Sequence, residues 1–324
     1  MRPRNAAPIM TLLVLSPLIG EVLSGATRLS FIFVLVPEIM VWGCGTLIIR
    51  DVVRRWRGGG PSALLLGLGL AIAEEFIIQQ TSLAPLPWLD PAAAYGRVAG
   101  VNWPYFLFML GYESVWIVLV PILVTELIFP SRRQEPWLRP RGLAVASAVF
   151  VVGSFIAWFL WTQQARPNVF HVPVYNPPLV TVLIGALAIV LLAGAAYAVR
   201  GSGRAPTARV PPRPWLVMVA ALVLGFPWYL LMFVVFAPRM ELALAVPVAA
   251  SVLWGGAAFF VLQRWSQAAG WSDRHRWALS FGALLVCMLA GFLGASAWSR
   301  ADTVAKGVLN VAAVAGMICL RRRM

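Results

Sequence analysis

A chain of 324 residues that is 60% hydrophobic and 12% charged, with a mean hydropathy of +0.82, has too little polar surface to coat a water-soluble globule. Its net charge of +14 would suit a nucleic-acid binder only if the basic residues formed a surface patch, but they fall in short clusters between apolar runs. Composition therefore predicts an all-α polytopic bundle with lipid as its surroundings and no nucleic-acid partner.

Ten spans are predicted in chain order, at residues 8–25, 29–50, 61–80, 102–129, 142–162, 178–199, 214–237, 244–263, 277–298 and 304–320. Each is long enough to cross about 30 Å of hydrocarbon at about 1.5 Å per residue, the last only just. The first follows "MRPRN" and has the basic start of a signal peptide. Glu21 interrupts its end and "LSGATRLS" offers no A-x-A site, so it reads as an uncleaved helix.

The connections alternate in charge. Arg2 and Arg4, Arg50 to Arg57, Arg132 to Arg141, Arg200 to Arg213, Arg264 to Arg276 and Arg321 to Arg323 account for 20 of the 26 basic residues. The other connections hold only Arg28, Arg97, Arg166, Arg239, Arg300 and Lys306. By the positive-inside rule both termini and the Arg-rich connections are cytoplasmic. One lysine against 25 arginines, with much Ala, Gly and Pro, suggests a GC-rich bacterial genome and hence a bacterial plasma membrane.

The Gly/Pro/Arg-rich stretch 200–213 resists helix formation and reads as a cytoplasmic linker between helices one to six (1–199) and seven to ten (214–324). An inverted five-plus-five division, as in many secondary transporters, is the arithmetic alternative. Gly43, Gly45, Gly67 with Ala71, Gly255, Gly256 and Ala290 with Gly294 read as helix-packing positions. Trp42, Trp88, Trp103, Trp161, Trp215 and Trp298 lie near predicted span ends and read as interface anchors. Cys44, Cys287 and Cys319 lie within spans, where inert thiols are expected and a disulfide framework is not.

The acidic residues are distributed unevenly. Asp90, Glu135, Glu241, Asp273 and Asp302 fall in connections or at span ends, whereas Glu21, Glu38, Glu74, Glu75 and Glu113 fall inside predicted hydrocarbon, with Glu126 near an inner end. All six of the latter belong to helices one to four. Counted from the outer ends, Glu21 lies about 6 Å deep, Glu74 and Glu75 about 10 Å, Glu38 about 14 Å and Glu113 about 17 Å. These levels overlap in the outer half of the bilayer.

An acidic residue near a helix centre costs on the order of 2.5 to 3.5 kcal/mol, so three or four require an internal polar setting. Glu74 and Glu75 are about 100° apart and address different neighbours, while Glu75 and Gln79, at i and i+4, share a face. Glu21 and Glu126, within about a turn of an interface, are expected to snorkel or cap. Glu38 and Glu113 fit either protonated cross-helix hydrogen bonding or a functional role. The adjacent Glu74 and Glu75 point to function, because two such carboxyls in low dielectric cannot both ionise cheaply.

No Arg or Lys is predicted in the outer half of the first four spans. The countercharge would then be a proton, a hard cation or a cationic group on a substrate. The predicted site is Glu38, Glu74, Glu75 and Glu113, with Gln79 and Gln80 supplying neutral hydrogen bonds and loops 81–101 and 163–177 covering it. A zinc site is not expected, since His171 and His275 fall on opposite sides of the membrane. Nucleotide-loop, G-x-S-x-G and H-E-x-x-H motifs are absent, so no metal or cofactor is assigned.

"SPLIGEVLSG", "WGCGTLIIRDVVRR", "AEEFIIQQ" and "YGRVAGVNW…YESVW…ELIFP" together resemble an uncharacterised group of bacterial polytopic membrane proteins, over about the first 130 residues. The doubled glutamate also resembles the E-E-x-x-x-R signature of the CPBP (CAAX protease and bacteriocin-processing) intramembrane proteases, over one helix. That resemblance implies Glu74 or Glu75 as a general base. Gln79 stands where that signature has Arg, and no F-x-x-x-H or H-x-x-x-[ND] follows in a span.

The leading expectation is a transporter or exporter with a carboxylate-lined proton- or cation-binding site. The alternatives are a CPBP-like protease or its non-catalytic relative, and a membrane scaffold or immunity-type protein. A hydrolase requires a His or metal beside the glutamates, and a scaffold requires every carboxyl to be satisfied.

Overall fold

The computed structural model describes residues 3–87, 95–201, 208, 210–236, 242–293 and 298–324. Its long helices, in chain order, are α1 (Ala6–Leu23), α2 (Leu29–Arg55), α3 (Gly60–Ile78), α4 (Trp103–Ile128), α5 (Pro140–Asn168), α6 (Leu179–Gly201), α7 (Pro214–Val235), α8 (Ala245–Ser266), α9 (Asp273–Ala290) and α10 (Arg300–Arg322). All but α9 are long and apolar enough to cross a membrane, and α9 occupies the remaining predicted span with a charged first turn. One antiparallel pair, β1 (Arg97–Val98) with β2 (Val101–Asn102), leads into α4. The predicted all-α polytopic bundle is therefore observed. Arg2, Trp88, Asp90, Arg204, Arg209, Arg239, Glu241 and Gly294 lie outside the described residues.

Helix starts follow local chemistry. Prolines open α3, α4 and α5, where the missing N–H has no intrahelical role. The Asn102 side chain accepts the Tyr105 N–H at 3.2 Å to cap α4, and Ser299 Oγ accepts the Asp302 N–H at 3.0 Å to cap α10. Arg57, with φ 56°, turns the chain out of α2 ahead of the glycine run that leads into α3.

Contacts between connections sort them into two faces, as alternation of the helices requires. On the Arg-rich face, Arg54 meets Glu126, Arg133 meets Asp273, and His275 meets the carbonyl of Pro212. On the opposite face Ser30 meets Asp302, Arg166 meets Pro85 and Tyr95 meets Leu242.

Burial is uneven in a way that matters for function. In α3 and α4, 61% of the apolar window is buried, against 11% in α5, α6 and α8, so the glutamate-bearing helices form the interior. Helix α4 packs against α1, α3, α7, α8 and α9, and one apolar core containing Leu12, Ile117 and Val286 joins residues from before and after the linker.

Polar side chains hold α1, α2 and α4 together. Ser16 Oγ and Thr46 Oγ1 both reach the Ile117 carbonyl, at 2.7 and 3.0 Å. Ile117 lies in a π-helical turn, where the wider hydrogen-bond spacing leaves backbone groups to be satisfied from outside. Close approach also depends on glycine: a Cβ on Gly43 would sit 2.3 Å from the Leu13 carbonyl oxygen. Gly43→Ala is expected to cost about 1 to 3 kcal/mol by overpacking, read as a lowered melting temperature of the purified protein. Gly256→Ala should be silent, because nothing lies within 4 Å of its Cβ position, contrary to its predicted packing role. Trp42 also departs from expectation: it is buried at 4% exposure within α2 and cannot anchor at an interface.

Candidate functional site

The five intramembrane glutamates share a local backbone feature that hydropathy does not reveal. Glu21 lies in the π-helical turn Leu18–Leu23, Glu38 immediately precedes Ile39–Gly43, Glu74 and Glu75 open Glu74–Ile78, and Glu113 opens Glu113–Leu119. A π-turn adds a residue per turn and shifts the side chains after it around the helix, and such turns concentrate at functional sites. Each of the four interior helices α1 to α4 is widened at or beside its intramembrane glutamates.

These carboxyl groups converge. Thr27 Oγ1 lies 2.6 Å from Glu38 Oε1 and 3.3 Å from Glu21 Oε2, so one hydroxyl spans two carboxyls but can donate its single proton to only one. Glu21 lies within electrostatic reach of Glu38 and Glu74, and the Trp42 side chain stands beside it. Glu113 interacts with Glu75, Glu74 and Glu21. The carboxyls of Glu75 and Glu113 stand within hydrogen-bonding reach of each other, a contact that closes only when one of them carries a proton.

The helix end above Glu75 is built to meet it. Gln80 adopts φ 61°, a left-handed conformation that ends α3, and its N–H and that of Gln79 both donate to the Glu74 carbonyl, at 3.1 and 2.9 Å. The chain then folds back so that Thr81 Oγ1 and Ser82 Oγ donate to Glu75 Oε2 at 2.7 and 2.6 Å. The Asn102 N–H donates to the Ser82 carbonyl at 2.9 Å, and Arg97 donates to that of Leu83. Arg166 ties the second loop to the first, donating to Pro85 and Pro173 carbonyls at 3.0 and 3.1 Å. Residues of both predicted covering loops therefore meet.

Satisfaction of the cluster is incomplete. Among the described residues, Glu38 Oε2, Glu74 Oε2, Glu75 Oε1 and both oxygens of Glu113 are buried without a hydrogen-bond partner. Among the described residues no Arg or Lys nitrogen lies within 4 Å of any of the five carboxyls. No group of three His, Cys, Asp or Glu side chains there is arranged to hold a metal ion. His171 is exposed, while His275 Nε2 faces the Pro212 carbonyl at 3.0 Å and its Nδ1 accepts the Ser272 N–H at 3.1 Å on the opposite face.

Of the predicted site residues, the structure brings together Glu38, Glu74, Glu75 and Glu113. Gln79 is half-buried and, among the described residues, its side chain makes no hydrogen bond to these carboxyls. Gln80 Nε2 donates to the Ile77 carbonyl at 3.3 Å, away from the cluster. Glu21 joins the group instead of snorkelling, and Tyr105 and Tyr112 flank it. The available sequence signal for Glu21 was its shared depth, which nearness to a span end outweighed. Thr27, Thr81 and Ser82 carried no signal except position, six or seven residues after a glutamate.

Glu126, also read as a snorkelling or capping residue, is buried at the Arg-rich end. Arg54 Nη2 contacts its two carboxylate oxygens at 2.6 and 2.7 Å, and Arg50 Nε lies 3.1 Å from Oε1. Asp51 Oδ1 accepts the N–H groups of Trp137 and Leu138 at 2.7 and 2.9 Å. The Arg133 guanidinium, 2.8 Å from Asp273, holds that carboxyl below the usual aspartate range. These contacts join α2, α4 and α9 at the end of the bundle away from the glutamate cluster.

The arrangement defines a class: a multi-pass helical membrane protein with a buried, incompletely neutralised carboxylate centre among its interior helices. The chain belongs to an uncharacterized membrane protein family, whose sequence profile matches residues 10–321, well beyond the first 130 residues that carried the resemblance. No curated protein and no solved structure matches it.

Proposed function

We propose that this protein is a transporter or exporter of the bacterial plasma membrane, with both termini cytoplasmic, in which Glu21, Glu38, Glu74, Glu75 and Glu113 bind and release protons or cations. One observation carries the reading: Glu75 and Glu113 face each other without a donor between them, and among the described residues no Arg or Lys nitrogen lies within 4 Å of the group. Carboxyls buried this way require positive charge from elsewhere, and a proton or a cation exchanging at that position is the elementary step of coupled transport. The unpartnered oxygens argue against a scaffold whose polar groups would all be paired. His171 is exposed and His275 lies on the opposite face, which argues against a histidine-assisted hydrolase.

Infrared difference spectroscopy of the protein in vesicles tests the reading without a known substrate. A carboxylic-acid C=O band should disappear when sodium or calcium is added or the pH is raised, and the Glu74→Gln, Glu75→Gln double variant should lose most of that change. Under an imposed pH gradient, vesicles holding wild type and a trapped pH dye should pass protons or sodium at least about tenfold faster than vesicles holding the variant. An unchanged band and equal fluxes for the two proteins would refute it.

A further inference from the structure

The five glutamates are not equally deep. Glu21 is half-buried, whereas Glu38 is 8% exposed and Glu74, Glu75 and Glu113 are 2% exposed or less. The order of burial is also an order of contact. Glu21 lies within electrostatic reach of Glu38 and Glu74, Glu74 lies beside Glu75, and Glu75 meets Glu113, the most enclosed of the five. A line of carboxyls through membrane helices is the usual material of a proton relay.

The two ends of this line are finished differently, although the chain builds both with one device. A π-turn carries the glutamate, a left-handed residue turns the chain back (Gln80 with φ 61°, Gly25 with φ 88°), and a threonine six residues after the glutamate returns its hydroxyl to the carboxyl. At Glu75 the end is closed: Thr81 and Ser82 are buried and both donate to the same oxygen. At Glu21 it is open. The Thr27 N–H donates to the Glu21 carbonyl at 2.9 Å, and its half-buried hydroxyl lies between Glu38 and Glu21 while lining a cleft on the Arg-poor face, between the α1–α2 connection and α10.

The cleft has room for about one water molecule. Its other polar lining groups are occupied. Lys306 Nζ donates to the Leu23 carbonyl, Asp302 accepts from Ser30 and Ser299, and Arg28, near Asp302, stacks on Trp298 at 5.9 Å. Among the described residues, Thr27 is the lining side chain that also hydrogen-bonds to the glutamates. The charged groups around it are Glu21 and Glu38 from α1 and α2, Arg28 from the connection, and Asp302 and Lys306 from α10, with Tyr112 from α4 beside Glu21. A single water suffices to pass a proton but leaves no room for a metal ion with its shell of several oxygens. Two cations against one carboxylate in the lining disfavour such an ion further.

We propose that this cleft is the proton entrance of the carboxyl cluster, with Thr27 as the positioning residue that passes protons between the cleft and Glu38 or Glu21. The inference rests on the proton-binding reading of the cluster and adds the side of entry and the first residue of the route. A hydronium in the cleft gives a proton to Thr27 Oγ as Thr27 Oγ gives its own to Glu38 Oε1, 2.6 Å away. The hydroxyl is restored, water is left in the cleft, and Glu38 becomes neutral. Rotation of the hydroxyl toward Glu21 Oε2, 3.3 Å away, opens the branch that leads to Glu74 and the Glu75–Glu113 pair.

Time-resolved infrared spectroscopy of the purified full chain after a pH jump tests the route. Thr27→Val, which removes the hydroxyl at nearly constant shape, should slow the change in the carboxylic-acid C=O band at least about tenfold with little change in its final amplitude. Thr27→Ser keeps the hydroxyl and should recover most of the rate. Glu21→Gln, one step further in, should slow the same phase and serves if Thr27→Val does not fold. Wild-type rates in both Thr27→Val and Glu21→Gln, with the band still responding, would overturn the entrance and leave the carboxylate reading in place. A wild-type band that responds to neither pH nor cations would overturn both.

Discussion

Replacing Glu113 with methionine is expected to raise the melting temperature of the protein while removing its cation response. The side chain is fully buried, neither carboxyl oxygen has a hydrogen-bond partner among the described residues, and it stands against the Glu75 carboxyl. Leaving a buried polar group unsatisfied costs about 1 to 3 kcal/mol, and methionine fills a similar volume without that cost. Glu75→Met should behave oppositely: it removes the acceptor for Thr81 and Ser82 and leaves two buried hydroxyls to find new partners. Thermal unfolding in one detergent, with the infrared response measured on the same samples, reads both effects. A loss of more than about 1 kcal/mol for Glu113→Met would mean that its carboxyl is held by structural partners, and the trade of stability against function would fail.

The contrast between these glutamates shows what the sequence could and could not convey. Span count and order were legible because apolar length and Arg clustering act on whole segments and tolerate small errors in boundaries. The shared depth of Glu38, Glu74, Glu75 and Glu113 followed from the same counting. Depth does not fix direction around a helix, however, and a single π-turn rotates everything after it. Gln79, one i+4 step from Glu75 on a regular helix, is displaced because Glu75 lies within the π-helical turn Glu74–Ile78.

Other departures have the same origin in packing that no local pattern encodes. Trp42 looks like an interface residue by its position near a predicted end, but α2 extends to Arg55 and carries Trp42 into the interior. Lys306 is counted with the connections although it falls just inside the predicted span 304–320, and the structure places it well within α10, which begins at Arg300. Asp51 was hidden for a different reason: between Arg50 and a run of further arginines it resembles one member of a solvated charge cluster, whereas it is fully buried.

The Arg-rich end of the bundle should be the most sensitive to a single substitution, and Arg50→Met is expected to destabilise the protein by about 3 to 5 kcal/mol, the range for breaking a buried ion pair. Arg50 is 1% exposed and saturated with acceptors: Glu126 at 3.1 Å and the carbonyls of Glu135, Arg132 and Arg133 at 2.6, 3.2 and 2.8 Å. Its guanidinium also lies 3.5 Å from the Trp137 ring centroid, so methionine would keep the stem but surrender every polar contact. Glu126 would still be held by Arg54, whereas the three carbonyls of the α4–α5 connection would lose their shared donor. A double-mutant cycle of Arg50→Met with Glu126→Gln should therefore give a coupling energy smaller than the effect of Arg50→Met alone. A coupling as large as the single effect would place the stabilisation in the ion pair instead of in the connection. Because α2 carries Arg50 at one end of the bundle and Glu38 toward the other, any movement that exposes the glutamates to the Arg-rich side must part these contacts or carry them along. Arg50→Lys, which keeps the charge but cannot reach all four acceptors, should then accelerate exchange at the glutamates, measured as a faster infrared response to added sodium with an unchanged final amplitude.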